Sequence, residues 1–145
     1  MSLPKPQPGL VLRYDYLWLQ SSKAGREDGD KERPATIVVS VQTDDAATAR
    51  IIVLPITHSE PDPQTTALEI PSDVCRKAGL DSSRSWVVLS EFNVFNWPGF
   101  DVAIIPRTDP PTIAYGHLTS GFLAKLQRAF LDLDSAGLTK AVVRD

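Results

Sequence analysis

A single cysteine, Cys75, in 145 residues excludes an internal disulfide framework and any multi-cysteine metal centre. With no histidine near it in sequence, Cys75 reads as a small packing residue in a helix rather than a nucleophile. Histidine is almost as scarce. His58 and His117 stand far apart, so a three-ligand zinc site needs carboxylates from elsewhere, and neither metal nor cofactor is expected. No apolar run approaches the roughly 18 residues of a membrane-spanning helix. The Pro-rich stretch from Met1 to Gly9 lacks a hydrophobic signal core, so the chain is expected in the cytoplasm without membrane contact. Positive charge is not in excess either. A formal charge of −3 excludes general coating of nucleic acid and leaves room for a small, local RNA site. Glycine-rich phosphate loops, His-Glu-x-x-His and Gly-x-Ser-x-Gly are absent, which removes several common catalytic signatures.

Proline, by contrast, is plentiful. Twelve of them, falling mostly between apolar runs, predict short elements joined by rigid turns, the pattern of a small β-barrel with helices added. The length fits a single domain covering residues 1–145, with a flexible arm at 1–8, a mobile loop at 20–32 and a frayed tail at 135–145.

The chain is organised around residues 31–59. Ile37 to Val41 and Ile51 to Leu54 are β-branched runs too short for helices, and the polar connector from Gln42 to Thr48 predicts an antiparallel hairpin. Arg33 at the start of the first strand and Thr57 just past the second should then emerge at one sheet edge. A guanidinium beside a hydroxyl fits phosphate, because its donors match phosphate oxygens as a fork. The plainer reading gives Arg33 a surface ion pair and Thr57 a turn.

Before the hairpin, Leu10 to Leu19 alternates and predicts a half-buried strand, with Leu12, Tyr14, Tyr16 and Trp18 on one face. Residues 20–32 are polar and dense in charge, which predicts the loop. After the hairpin, Ala67 to Ile70 predicts a short strand. Ser72 and Gly79 bracket a helical turn as N-cap and C′ residue. Trp86 to Trp97 reads as one strand ended by Pro98-Gly99, and Val102 to Ile105 and Ile113 to Leu118 as weaker ones. From Thr119 the period becomes 3.6: Phe122, Leu123, Leu126, Phe130 and Leu133 form one stripe, which predicts a C-terminal amphipathic helix packed on the sheet.

Six aromatics, Tyr14, Tyr16, Trp18, Trp86, Phe95 and Trp97, have the chemistry to stack on bases. Most are expected in the core, with Trp97 beside Pro98-Gly99 the one expected to be exposed.

Several of these segments together resemble the PemK/MazF-like growth-inhibitor toxins. They are Gly9-Leu-Val-Leu-Arg-Tyr-Asp-Tyr, the charged loop ending in Arg33-Pro34-Ala with its Ile/Val strand and Ser40, Leu54-Pro55-Ile56-Thr57, Trp86-Val-Val-Leu-Ser-Glu91 and the closing helix. The resemblance implies a mainly β fold, an SH3-like β-barrel with a short helix and a C-terminal helix. It also implies a homodimer, held inactive by an antitoxin, that cleaves single-stranded RNA without metal through 2′-hydroxyl attack. In its terms Arg33 and Thr57 hold the phosphate, and a first-loop carboxylate, for which Glu27 and Asp28 both fit, joins them. Some members carry Arg-x-Asp-Gln in the late strand. Here Leu89-Ser90-Glu91-Phe92 stands there, so that arginine is missing and Glu91 alone preserves a carboxylate.

The chemistry itself asks for a base, an acid and donors for charge developing on phosphorus oxygens. Arg33 suits the last role, since a guanidinium is a poor acid. Thr57 can donate a hydroxyl, with Ser59, Glu91 and Trp97 as further substrate contacts. His58 can serve as acid or base, although neighbours on an extended segment point to opposite sides. A function of a different class also fits these residues: an SH3-like binding module without catalysis, acting through protein partners.

Overall fold

The computed structural model describes residues 3–29, 31–43, 48–81, 83–99 and 101–144. The elements run β1 (Leu10–Asp15), α1 (Leu19–Lys23), β2 (Glu32–Gln42), β3 (Ala49–Thr57), β4 (Ala67–Ile70), α2 (Ser72–Lys77), β5 (Ser85–Val88), β6 (Glu91–Trp97), β7 (Ala114–His117), α3 (Ser120–Ser135) and β8 (Lys140–Arg144). Among the described residues the architecture is mainly β, a curled, half-closed barrel of eight strands with three helices. Among the described residues no helix is long and apolar enough to cross a membrane.

The expected hairpin is the centre of the sheet. Antiparallel β2 and β3 pair from Gln42 with Ala49 to Ala35 with Pro55; residues 44–47 of the connector lie outside the described residues. The strand order is β4-β5-β3-β2-β1-β7, and β6 also joins β3. Alternate residues of the hairpin feed two cores. Ile37, Ile51 and Val53 meet Tyr14, Tyr16 and Phe95 on one face. Val38, Leu54 and Ile56 meet α2 and α3 residues on the other. Strands covered on both faces have no polar side to alternate with, which is why these segments read as continuous apolar runs. For the same reason β1 is not half-buried: Leu10, Val11 and Leu12 are all buried.

The C-terminal helix forms as its period predicts. Thr119 caps it by accepting from Phe122 N at 3.4 Å, and Phe122, Leu126 and Phe130 are buried. In α2 the capping differs: Pro71 occupies the cap position and Ser72 is already helical, while Gly79 ends the turn at φ +76°.

Five expectations need correction. The tail is not frayed: Lys140–Arg144 is β8, paired parallel with β6, because its Val142 fills a core position and Arg144 anchors its end (Asp145 lies outside the described residues). Residues 20–23 of the expected loop belong to α1, and Gly29 N donates to Asp15 Oδ2 at 3.0 Å; Asp30 is outside the described residues. The arm lies along β2, where Ser40 Oγ donates to Pro6 O at 2.9 Å; Met1 and Ser2 are not described. The run from Trp86 to Trp97 is two strands. Thr57 faces Trp86 and Val53 faces Asn93, so four residues along β3 correspond to seven along its partner. The excess is absorbed at Leu89-Ser90 as the sheet curls. Val102 to Ile105 contributes only a bridge from Val102 to Tyr14.

Candidate functional site

The last β2–β3 pair is Ala35 with Pro55, and two residues further out on each strand stand Arg33 and Thr57. Here the strands part. Arg33 falls in register with Tyr14 of β1 and Thr57 with Trp86 of β5, which opens a mouth at this end of the hairpin. Alternation puts both residues on the face of Ile37 and Val53.

Arg33 is half-buried, with its guanidinium carbon 5.1 Å from the centroid of Trp18. That stacking is worth about 0.5–2 kcal/mol. Trp18 in turn meets Tyr16 edge-on at 4.9 Å, so the cation rests on a fixed aromatic wall. Thr57 Oγ1 accepts from Ser59 N at 3.1 Å. This is the turn role foreseen for it, and it orients the hydroxyl while leaving its proton available to donate.

His58 is on the opposite face. Its Nδ1 lies 3.0 Å from Ser85 Oγ and 3.3 Å from the Arg84 carbonyl, and its Nε2 lies 3.6 Å from Asp81 Oδ2. Ser85 is fully buried, and Asp81 Oδ1 accepts from Ser83 N at 2.9 Å. His58 and Asp81 line a hollow of about 320 Å³ with Pro34, Gly79, Leu80 and Tyr115. Burial pushes the Tyr115 phenol up from its ordinary pKa.

Glu91 Oε1 accepts from Tyr16 O–H at 3.1 Å and from Leu19 N at 2.9 Å. Burial raises its pKa against the lowering effect of those donors. Two rings, Tyr16 and Trp18, link this carboxylate to Arg33. Glu27 and Asp28 are elsewhere: both are exposed and line a separate hollow of about 770 Å³ with Asp101 and Arg144. Trp97, expected to be exposed, is buried. It pairs with Ala49 and leans on Phe95 at 6.3 Å, because β6 carries its side chain into the second core before the Pro98 turn.

Arg33 and Thr57 thus each lie two residues beyond the last β2–β3 pair, at the end where the strands part, with Ser59 in the adjoining turn and His58 against Ser85 and Asp81. The residues around His58, namely Asp81, Ser85 and Tyr115, gave no sequence signal, since two segments distant from residue 58 supply them. Cys75 is buried, and burial raises its thiol pKa, as suits a packing residue. Among the described residues no three His, Cys, Asp or Glu side chains cluster closely enough to hold a metal ion.

No protein-family model, curated protein or solved structure matches the chain.

Proposed function

We propose that this chain is an endoribonuclease of the toxin type, cutting single-stranded RNA by attack of the substrate's own 2′-hydroxyl. The observation that supports the reading is the pairing of β2 with β3, whose last pair, Ala35 with Pro55, stands two residues inside both Arg33 and Thr57. In this reading the phosphate sits in that mouth. Arg33, braced on Trp18, stabilises charge on the non-bridging oxygens, and the Thr57 hydroxyl donates to one of them. The 2′-hydroxyl proton passes to solvent water at the open mouth. As the 2′-oxygen bonds to phosphorus, the bond to the 5′-oxygen breaks and water supplies that oxygen's proton. Arg33 is a better electrostatic partner than acid, because its guanidinium stays charged. The sequence resemblance adds a homodimer and an antitoxin partner, and an acidic chain needs such a restricted, local RNA site.

The test is direct. Purified protein should cut single-stranded RNA in EDTA and leave the matching DNA intact. Arg33→Ala should lower the rate by about 10²-fold, the loss typical of one oxyanion donor. Cleavage that persists unchanged in Arg33→Ala overturns the reading. RNA or protein binding without cleavage identifies the non-catalytic module instead.

A further inference from the structure

The arm ahead of β1 covers one end of the core that holds Ala49, Ile51, Phe95 and Trp97. Its residues alternate: Pro4, Pro6 and Pro8 are half-buried, while Leu3, Lys5 and Gln7 are exposed. The surface beneath is one face of the sheet. Gln42 pairs with Ala49 and Ala49 with Trp97, and Ser40, two residues from Gln42, shares their side. Ser40 Oγ donates to the Pro6 carbonyl at 2.9 Å, an oxygen that can only accept. Between arm and sheet lies a hollow of about 460 Å³ whose walls include Pro4, Pro6, Pro8, Ala49 and Trp97. Trp97 is 5% exposed, and its indole N–H has no hydrogen-bond partner among the described residues and is not sealed from solvent. The small open surface of this ring therefore belongs to the hollow.

We propose that this seat is a docking groove for extended, proline-rich peptide, filled in cis by the arm and open in trans to a proline-rich segment of a partner protein. Both donors of the groove, the Ser40 hydroxyl and the Trp97 N–H, call for carbonyls. A proline-rich segment brings carbonyls and few N–H groups, whereas an ordinary extended segment buries donors that the groove cannot answer. Proline rings pack on an aromatic floor, and a chain already held extended loses little freedom on docking. The arm has this chemistry and uses half of it. Its Pro6 carbonyl meets Ser40 and its Gln7 carbonyl is taken by Leu10 N at 3.1 Å, while the Trp97 donor goes unused. A segment that brings a carbonyl to the indole gains a hydrogen bond that the arm lacks, and so displaces it. The groove is independent of the nuclease reading: it lies at the connector end of the β2–β3 hairpin, and Arg33 and Thr57 lie at the other end.

The probe is the end-blocked peptide Leu-Pro-Lys-Pro-Gln-Pro, the sequence of residues 3–8, titrated into the full isotope-labelled chain while the indole N–H resonances of Trp18, Trp86 and Trp97 are followed by NMR. The Trp97 resonance should move and the other two should stay. The arm competes from within the molecule at about millimolar effective concentration. Loosening it in the double variant Pro4→Ser with Pro6→Ser, both outside the cores, should tighten peptide binding at least about tenfold. The peptide Leu-Ser-Lys-Ser-Gln-Ser should bind that variant at least about tenfold more weakly than the proline peptide, having donors to bury and more freedom to lose. Trp97→Phe, added to the loosened arm, keeps a ring and removes the donor. It should weaken binding about three- to tenfold, the worth of one hydrogen bond, read at the Ser40 and Ala49 amides. A Trp97 resonance unmoved by millimolar peptide in the double variant overturns the proposal, as does equal binding of the two peptides, and neither reading needs Trp97→Phe to fold. Unchanged affinity in a folded Trp97→Phe overturns it as well.

Discussion

Arg144 Nη2 lies 3.0 Å from Asp101 Oδ1, an ion pair that fastens the end of β8 to the turn after β6. The arginine side chain is only 5% exposed. Its Nη1 also donates to Asp15 O at 2.7 Å, and Asp15 Oδ2 lies 3.8 Å from Nη2. Arg144→Ala strands two partly buried carboxylates, which should cost about 3 kcal/mol. Urea unfolding checks it. A loss under about 1 kcal/mol would mean β8 is held by its ladder alone.

Glu91 ties stability to pH. Its pKa is raised from the ordinary 4.5 by burial, so between that value and the raised one the folded state holds more protons than the unfolded state. Stability therefore falls as pH rises through that window. Glu91→Gln keeps an oxygen for Tyr16 and Leu19 and has no charge to bury. It should be more stable than the parent at pH 8 and match it at pH 4. Urea midpoints measured across that pH range check it. Lower stability of the variant at pH 8 would contradict the raised pKa.

Gly79 separates α2 from the hollow. At φ +76° a side chain is strained, and a Cβ there would run into the Tyr115 carbonyl. Gly79→Ala should cost about 2 kcal/mol or more, since the clash with the Tyr115 carbonyl adds to the roughly 1–2 kcal/mol of left-handed strain. Thermal unfolding checks it.

Thr119→Ala removes the α3 cap bond to Phe122 N and should cost about 1 kcal/mol. Thr119→Ser retains the acceptor and should recover most of it. Equal losses in both would point to the threonine methyl group rather than the cap.

What the sequence disclosed follows from how local each signal is. Ile37–Val41 and Ile51–Leu54 declare a hairpin because β-branched residues and a short polar connector suffice to specify one. Phe122, Leu126 and Phe130 declare α3 through their spacing alone. β8 is different. Ala141, Val142 and Val143 form too short a run to register, and they become a strand only because the distant β6 offers a parallel edge. Trp97 looked exposed for an equally local reason, the Pro-Gly beside it, while its burial depends on Ala49 and Phe95. At the candidate site, the hairpin reading put Arg33 and Thr57 at one end of β2 and β3, and the observed register ends two residues short of both. The Asp81 and Ser85 partners of His58 come from the segment after α2, and no spacing rule joins them to residue 58.

β3 gives one flank to β2 and divides the other between β6 and β5. Of these three neighbours only β2 arrives through a short connection, so the hairpin can close in microseconds, while the remaining pairings wait on long loop closures and belong to the millisecond-to-second regime. In that interval Ile51 to Leu54 present a bare apolar edge to any other chain. Refolding yield should therefore depend on how crowded the solution is, with dilution rescuing molecules that association would otherwise trap.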